Sequence, residues 1–441
     1  MSLPPHIAWL QTHAPSLAAG ETGQLIQTHI SFVVLAGDRV YKVKKPVDFG
    51  FLDFTTVEKR AVMCAAEVER NGRLSPDVYL GVEAIRPQGD GFVLGEGSAE
   101  AADYAVVMRR LPAEGMLEAM LPEGRVTAAQ VRAIAGVVAD FHLGAERSDA
   151  ITEFGSRAVI EGNWSENFAQ TEAAVGECIE RASFEGLRAY VSGFLDANAA
   201  LLRRRQEAGW IRDGHGDLKV SAIALVDAEP VAASVRILDC IEFNDRMRYG
   251  DVAVDLAFLL MDFESRGRAD LADEALAAYL SRTLDGELPL LLPFYECYRA
   301  YVIAKISTFA AADSQVPAAE RAAATENARH HFRLAAVYAG RASGPRLVLV
   351  GGASGSGKST LATALAGRLG GRWLSSDVVR KRLAGLAPRA ASGSGVGAGL
   401  YDAASTAETY AALLTEAELT LADGQSVILD ASFSDPAQGR A

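Results

Sequence analysis

Two stretches of this 441-residue chain carry residues whose types and spacing suit phosphoryl chemistry. In the first, DGHGDL (213–218), His215 and Asp217 stand two residues apart before an apolar run, and a second carboxylate, Asp239, follows in ILDCIEF. Two carboxylates at the ends of adjacent short strands suit phosphoryl transfer, because one can orient a hydroxyl while the other holds Mg²⁺. From spacing alone, two aspartates in turns are an equal alternative.

The second stretch, GGASGSGKST (351–360), fits the pattern G-x-x-x-x-G-K-[ST] of a phosphate-binding loop. Its glycines let successive backbone N–H groups point at phosphate oxygens, and the following helix directs its positive N-terminus at the same anion. Lys358 supplies charge to the β/γ-phosphates, and the Ser359 hydroxyl can ligate Mg²⁺. The predicted nucleotide-binding residues are Gly352, Ala353, Ser354, Gly355, Ser356, Gly357, Lys358, Ser359 and Thr360.

Two later carboxylates could complete this second site. WLSSDVVRKRL (373–383) places Asp377 just beyond a short strand, and SVILDASF (426–433) is an apolar strand that ends at Asp430. A carboxylate at the end of a buried strand beside the loop suits the metal side of a bound nucleotide. A helix N-cap role for Asp377 and a turn role for Asp430 are the structural alternatives.

The elements that must position these residues begin with a β-rich part over residues 1–112. Gly37 and Asp38 separate two strand-like runs, which is typical of a hairpin. In chain order the predicted elements are two strands within 30–45, a helix over 56–74, two strands within 81–95 and a strand over 104–112.

The remaining chain is predicted to form two further parts. Residues 113–340 are mainly helical, with short strand-like runs around 223–226 and 235–243. A helix that ends at Gly340 precedes a linker, and the last part, 346–441, alternates strands and helices.

Composition excludes several classes of protein. The chain has 43 Lys and Arg against 56 Asp and Glu, a formal net charge of −13, so a nucleic-acid-binding face is not expected. The N-terminal residues lack the pattern of a signal peptide, and no apolar run approaches about eighteen residues, so no membrane span is predicted. The four cysteines are scattered without metal-ligand spacing, which favours reduced core thiols in a cytoplasmic protein. The oligomeric state is left open.

The last part of the chain, 346–441, resembles the small P-loop kinases of the zeta-toxin and gluconate-kinase kind. The resemblance rests on GASGSGKST, SDVVRKRL and VILDASF. It implies an α/β P-loop domain with a parallel sheet, in which Asp377 orients or deprotonates a substrate hydroxyl and Arg380 binds substrate or phosphate. Such kinases continue into a lid with arginines, whereas here only Arg440 follows. The domain is therefore expected to be partial, and to bind nucleotide without working as a normal kinase.

The larger part of the chain, residues 20–340, resembles the aminoglycoside phosphotransferase family, whose members are relatives of the protein kinases. HGDL, DCIEF and YGDVAVDLAFLLMDF stand in that family's order and spacing. The resemblance implies an α+β bilobal fold, with an N-lobe over 1–112 and a helical C-lobe over 113–340. It also implies that Asp217 is the catalytic aspartate, that Asp239 is a metal ligand, and that ATP with Mg²⁺ is the phosphate donor.

The same resemblance implies a lysine that holds the nucleotide phosphates from a central strand, with the residue two before it facing adenine. VYKVK places apolar Val40 two before Lys42, whereas a phosphate-binding Lys44 would place Lys42 against adenine. Lys42 is therefore preferred to Lys44. Glu67 is the expected ion-pair partner of the lysine, and Glu69 is the second candidate.

Two further positions follow from the family pattern. Met108 lies where the hinge would offer backbone hydrogen bonds to adenine, with an ordinary core position as the alternative. Five residues after the catalytic aspartate, where the family has an asparagine metal ligand, this chain has Ala222. One Mg²⁺ site is therefore expected to be impaired unless Ser221 or Glu242 substitutes.

Taken together, these patterns predict an ATP-dependent phosphotransferase that acts on a hydroxyl of a small molecule and carries a second, P-loop ATP-binding domain. A nucleotide-sensing or interaction protein with degenerate kinase sites is the alternative from another class.

Overall fold

The computed structural model describes residues 3–314, 316–340, 345–387, 390 and 399–433. The chain forms two compact units. The first contains Met1–Thr127 and Asp213–Tyr249, and the second contains Ala128–Arg212 and Gly250–Ala441. The domain boundaries proposed from the sequence stay a prediction, and Arg440 lies outside the described residues.

Strands dominate the start of the chain and helices dominate the middle. Up to residue 340 the elements are α1 (Pro5–His13), β1 (Gln24–Gln27), β2 (Ser31–Ala36), β3 (Arg39–Lys44), α2 (Val57–Gly72), β4 (Tyr79–Gln88), β5 (Gly91–Leu94), β6 (Asp103–Arg109), α3 (Leu117–Met120), α4 (Ala128–Gly144), α5 (Asp149–Thr152), α6 (Arg157–Thr171), α7 (Arg181–Ala197), α8 (Ala199–Glu207), β7 (Ile211–Asp213), β8 (Ile223–Leu225), α9 (Val231–Ser234), β9 (Val235–Ile237), α10 (Asp245–Arg248), β10 (Tyr249–Asp251), α11 (Val252–Ser265), α12 (Ala269–Thr283), α13 (Leu288–Ala312) and α14 (Ala318–Gly340). The later elements are β11 (Leu347–Gly351), α15 (Lys358–Leu369), β12 (Gly371–Ser375), α16 (Ser376–Leu383), α17 (Ala403–Ala422) and β13 (Ser426–Ala431).

An antiparallel sheet in the order β1-β2-β3-β6-β4-β5 is the centre of the first unit. The predicted hairpin is present as β2 and β3, and Gly37 in its turn has a φ of 56°, which favours glycine. Ile7 and Leu10 of α1 pack on one face of the sheet. The opposite face is covered by α2, whose Cys64 packs in a cluster with Met108.

Helix α2 turns a mostly polar stripe toward the sheet. Its buried residues, Arg60, Cys64, Glu67 and Asn71, recur every three or four positions, which is the spacing of one helix face. The helix begins after Thr56, whose side chain accepts a hydrogen bond from the Lys59 amide and caps the N-terminus. Polar side chains on a buried face need partners. Arg60 pairs with Asp103, and the partners of Glu67 and Asn71 belong to the site described below.

The chain returns to the first unit with the short antiparallel pair β8 and β9. The strand predicted over 235–243 is shorter than expected, because β9 ends at Ile237 and Asp239 has a φ of 59°, which a strand residue does not adopt.

The second unit contains the longer helices other than α2, together with the parallel sheet β11-β13-β12. Helix α15 packs against α12 and α13. A Cβ atom at Gly367 would overlap the side chain of Leu276, and Arg368 forms an ion pair with Asp273. The amide of Trp373 donates to the carbonyl of Gly286 over 3.0 Å. The predicted order, an α+β part followed by an α/β part with a parallel sheet, is confirmed.

Within the described part of the chain, every helix is too short or too polar to cross a bilayer. Cys64, Cys178, Cys240 and Cys297 are buried and form no disulfide, so their predicted place in the core is confirmed.

Candidate functional site

Two lysines on strand β3 share one carboxylate. Because side chains alternate along a strand, Lys42 and Lys44 face the same side, toward α2. The Nζ atom of Lys42 lies 2.7 Å from Oε1 of Glu67, and Nζ of Lys44 lies 2.7 Å from its Oε2. The other candidate partner, Glu69, has a side chain that is exposed to solvent.

The surroundings of the two lysines differ. Lys44 is 1% exposed, and its ammonium also forms an ion pair with Glu242 and lies 4.9 Å from the centre of the Phe54 ring. Lys42 is 18% exposed and donates to Oδ1 of Asp239 over 3.1 Å. Lys42 thus lies beside the exposed carboxylate of the predicted metal ligand, whereas Lys44 is enclosed.

The charges in this cluster shift one another's protonation. Burial alone would lower the pKa of Lys42, but Asp239 and Glu67 outweigh burial and hold that pKa well above its ordinary value. Burial would raise the pKa of Glu67, yet the two lysines lower it to about 2. The pKa of Glu242 is raised, because burial and the charge of Glu67 disfavour its ionised form. The cluster has one more carboxylate than ammonium groups, so it can accept a further cation.

The predicted catalytic loop follows β7. The buried ring of His215 accepts from the Asp217 amide over 3.2 Å at Nδ1, and its Nε2 lies 3.0 Å from the carbonyl of Leu238. His215 therefore ties the loop to the segment that carries Asp239. The Asp217 carboxylate is partly exposed, and its Oδ2 lies 2.9 Å from Nζ of Lys219.

The donor set suits Mg²⁺ bound together with a nucleotide. In the described residues no three His, Cys, Asp or Glu side chains are grouped to hold a metal by themselves. Mg²⁺ in phosphate-transfer sites usually takes one or two carboxylates and completes its shell with phosphate oxygens and water. Asp239, the predicted metal ligand, has an exposed carboxylate of this kind. Ala222 is buried and offers no side-chain oxygen, and Glu242 is engaged by Lys44.

Met108 lies in an apolar part of the sheet. It is buried opposite Val40 and belongs to a cluster with Leu238. The amide of the next residue, Arg109, donates to the carbonyl of Val78 over 2.8 Å. Contact with adenine at Met108 stays a prediction, and the core role left open by the sequence is observed.

The predicted phosphate loop connects β11 to α15, and all nine of its predicted residues lie between the end of the strand and the first helical turn. Gly355 and Gly357 have φ values of 78° and 85°, which side-chain-bearing residues rarely adopt. The helix begins at Lys358, so its first free N–H groups face the loop.

Asp430 is a strand residue. It lies in β13 opposite Val350 of β11 and Ser375 of β12. Its side chain is 2% exposed, and neither carboxylate oxygen accepts a hydrogen bond from any described residue. A buried carboxylate without a partner is unfavourable, so this position suits a cation near the phosphate loop.

Asp377 occupies the first turn of α16, where Ser375 rather than Asp377 is the N-cap residue. Its Oδ2 lies 2.8 Å from Nζ of Lys381, and its Oδ1 accepts from the hydroxyl of Tyr401 over 3.4 Å. The Arg380 guanidinium lies over the same Tyr401 ring at 4.8 Å. No sequence motif points to Tyr401, which is the last residue of a short 3₁₀ helix, Gly399–Tyr401.

Two curated proteins are similar to this chain over most of its length. Two mycobacterial proteins, Rv2004c of Mycobacterium tuberculosis and Mb2027c of Mycobacterium bovis, are each 37% identical over 410 residues. The match spans 93% of this chain and 78% of each relative. This chain belongs to their family. A sequence model described as an AAA domain matches residues 347–441, which contain the phosphate loop, Asp377 and Asp430.

Solved structures that are similar to this chain include kinases and phosphotransferases. A choline/ethanolamine kinase family protein from Mesorhizobium loti is 12% identical, with a TM-score of 0.43 and coverage of 74% of this chain and 97% of that chain. Aminoglycoside 2'-phosphotransferase-IIIa is 11% identical, with a TM-score of 0.43 and coverage of 73% and 96%. A glucosamine kinase is 16% identical, with a TM-score of 0.40 and coverage of 75% and 80%.

Proposed function

We propose that this protein transfers the γ-phosphate of ATP to a hydroxyl group of a small molecule, with the first unit supplying the reacting residues. The observation that carries the proposal is the contact of Lys42 with both Glu67 and Asp239, in the same unit as Asp217. Phosphoryl transfer depends on positioned charges rather than on covalent chemistry, and these residue types are the ones required.

Each residue would have a distinct role. Lys42, held by Glu67, would bind the α/β-phosphates, and Met108 would lie near adenine. Asp239 would hold Mg²⁺, which neutralises charge on the phosphates when it is bound. Asp217 would orient the acceptor hydroxyl and accept its proton.

A second nucleotide site is proposed at the phosphate loop. Lys358 and the loop amides would bind phosphate, and Ser359 with the unpartnered Asp430 would hold Mg²⁺. Asp377 and Arg380 would face an acceptor. We further propose a cytoplasmic location, where ATP is available, and a small-molecule partner rather than nucleic acid or membrane.

The test is an ATP-turnover assay with a panel of small alcohols, amino alcohols and sugars. Asp217→Asn should abolish transfer, and Lys358→Ala should reduce it far less. Asp227→Asn, a change at an exposed aspartate in the same unit, is the matched control and should behave as wild type. Turnover that is lost with Lys358→Ala and kept with Asp217→Asn would move the chemistry to the phosphate loop.

A nucleotide-sensing protein is the second candidate, and Ala222 favours it, because one metal ligand is replaced by a methyl group. Saturable ATP binding without turnover on any acceptor, including water, would support sensing over catalysis.

A further inference from the structure

The predicted metal ligand has a backbone conformation that asparagine and glycine adopt more readily than aspartate. Asp239 has a φ of 59°, in the left-handed region. A residue with a side chain stays in that region only when its surroundings hold it there, and such positions cluster at functional sites.

The peptide groups on both sides of Asp239 are held by side chains from other elements. The Asp239 amide donates to the hydroxyl of Tyr79 on β4 over 3.2 Å. The amide of the next residue, Cys240, donates to Oδ1 of Asn71 on α2 over 2.8 Å. Since one peptide group fixes φ and the other fixes ψ, these two hydrogen bonds together determine the conformation of Asp239.

Both side chains are well placed for this task. Tyr79 and Asn71 are buried, so water does not compete for the two amides. Asn71 also donates to the carbonyl of Glu67 over 2.9 Å. One asparagine therefore connects the partner of Lys42 to the segment that carries Asp239.

We propose that Tyr79 and Asn71 are positioning residues that hold Asp239 in its left-handed conformation and so direct its carboxylate toward Lys42 and the metal of a bound nucleotide. Without them the backbone at Asp239 relaxes to negative φ, and the carboxylate turns away from Lys42. This inference rests on the proposed function of the first unit.

The test compares Tyr79→Phe with Tyr41→Phe in the full chain. Tyr41 is a buried tyrosine of the same sheet. Its hydroxyl contacts Ser16, whereas the hydroxyl of Tyr79 accepts from the Asp239 amide. Both chains carry Lys358→Ala, so that the phosphate loop contributes little nucleotide binding. Mn²⁺ binding in the presence of ADP is measured by electron paramagnetic resonance, and hydrogen exchange is followed over residues 236–243 without ligand.

Tyr79→Phe should raise the half-saturating Mn²⁺ concentration by about three- to tenfold, the effect of one lost hydrogen bond, and should speed exchange over 236–243. ADP affinity without metal should stay within about twofold of the control. Asn71→Ala should act in the same direction.

An unchanged Mn²⁺ affinity and unchanged exchange in Tyr79→Phe would overturn the positioning role and leave the proposed function standing. Both the inference and the proposed function fail if the Lys358→Ala chain binds no nucleotide, with or without Mn²⁺. The control chain that also carries Tyr41→Phe should then bind none either.

Discussion

Replacing Lys44 by methionine should destabilise the first unit more than the same change at Lys42. The Lys44 ammonium is enclosed with Glu67 and Glu242, so its removal leaves one buried carboxylate without a counter-ion. Protonation of Glu242, whose ordinary pKa is 4.5, limits the cost. Keeping that carboxyl neutral costs about 1.36 kcal/mol per pH unit above this value, which gives about 3.4 kcal/mol at pH 7 and about 1.4 kcal/mol at pH 5.5.

Lys42→Met should reduce the stability of the first unit less than Lys44→Met does, and should reduce the affinity for ATP. Glu67 keeps Lys44, and the other partner of Lys42, Asp239, is 58% exposed and can be solvated by water. The expected loss of stability is therefore smaller than in Lys44→Met, because Glu67 and Glu242 both keep the Lys44 ammonium. The affinity for ATP should fall, because Lys42 is the lysine beside Asp239.

Hydrogen exchange over β2, β3 and β6 in the full chain measures the stability of the first unit at both pH values, and an ATP titration with Mg²⁺ measures binding. The reasoning fails if the two variants lose equal stability, or if the loss in Lys44→Met does not shrink at pH 5.5. Loss of ATP binding in a well-protected Lys44→Met protein would make Lys44 the phosphate lysine.

Three further results are expected. Ala222→Asn should raise phosphotransfer at limiting Mg²⁺, since it restores a ligand oxygen, and lower activity would indicate another metal arrangement. Because the pKa of Glu67 falls from 4.5 to about 2 on folding, this carboxylate stabilises the protein above pH 4.5 and loses that effect as the pH falls toward 2. Glu67→Gln should flatten acid unfolding over that range, and an unchanged acid profile would contradict the assigned ion pairs. Gly367→Ala should lower the thermal midpoint, because the new methyl group meets Leu276, whereas Gly193→Ala, in an open helix position, should not; equal midpoints would argue against close packing at Gly367.

The local elements of this fold could be predicted because their signals are local. The turn at Gly37 and Asp38 separates two alternating runs, and the glycine pattern before Lys358 specifies both a loop and a helix start. The strand β13 was evident from the apolar residues 427–429, although it continues through Asp430 to Ala431.

The partners within the site could not be predicted in the same way. Lys42 and Lys44 lie two residues apart on one strand face, so spacing gives both the same access to Glu67. Asp239 and Glu242, which distinguish them, are 197 and 198 residues further along the chain. After the end of β9, the amides of Asp239 and Cys240 donate hydrogen bonds to Tyr79 and Asn71, and neither residue type signals that contact in the sequence.

The close packing of α15 on α12 bears on how this protein can be rearranged. The sequence alone suggests that the nucleotide-binding part, 346–441, could be transferred to another protein by cutting the chain after Gly340. The physical boundary is elsewhere, because Gly367 lies against Leu276 and the Trp373 amide is bonded to Gly286. If the segment were moved to another protein, the face of α15 that packs on α12 and α13 would be exposed to solvent. The original protein would expose the matching faces of α12 and α13. Shuffling of such units, in the laboratory or by recombination, should therefore succeed only when α12 and α13 travel with the loop.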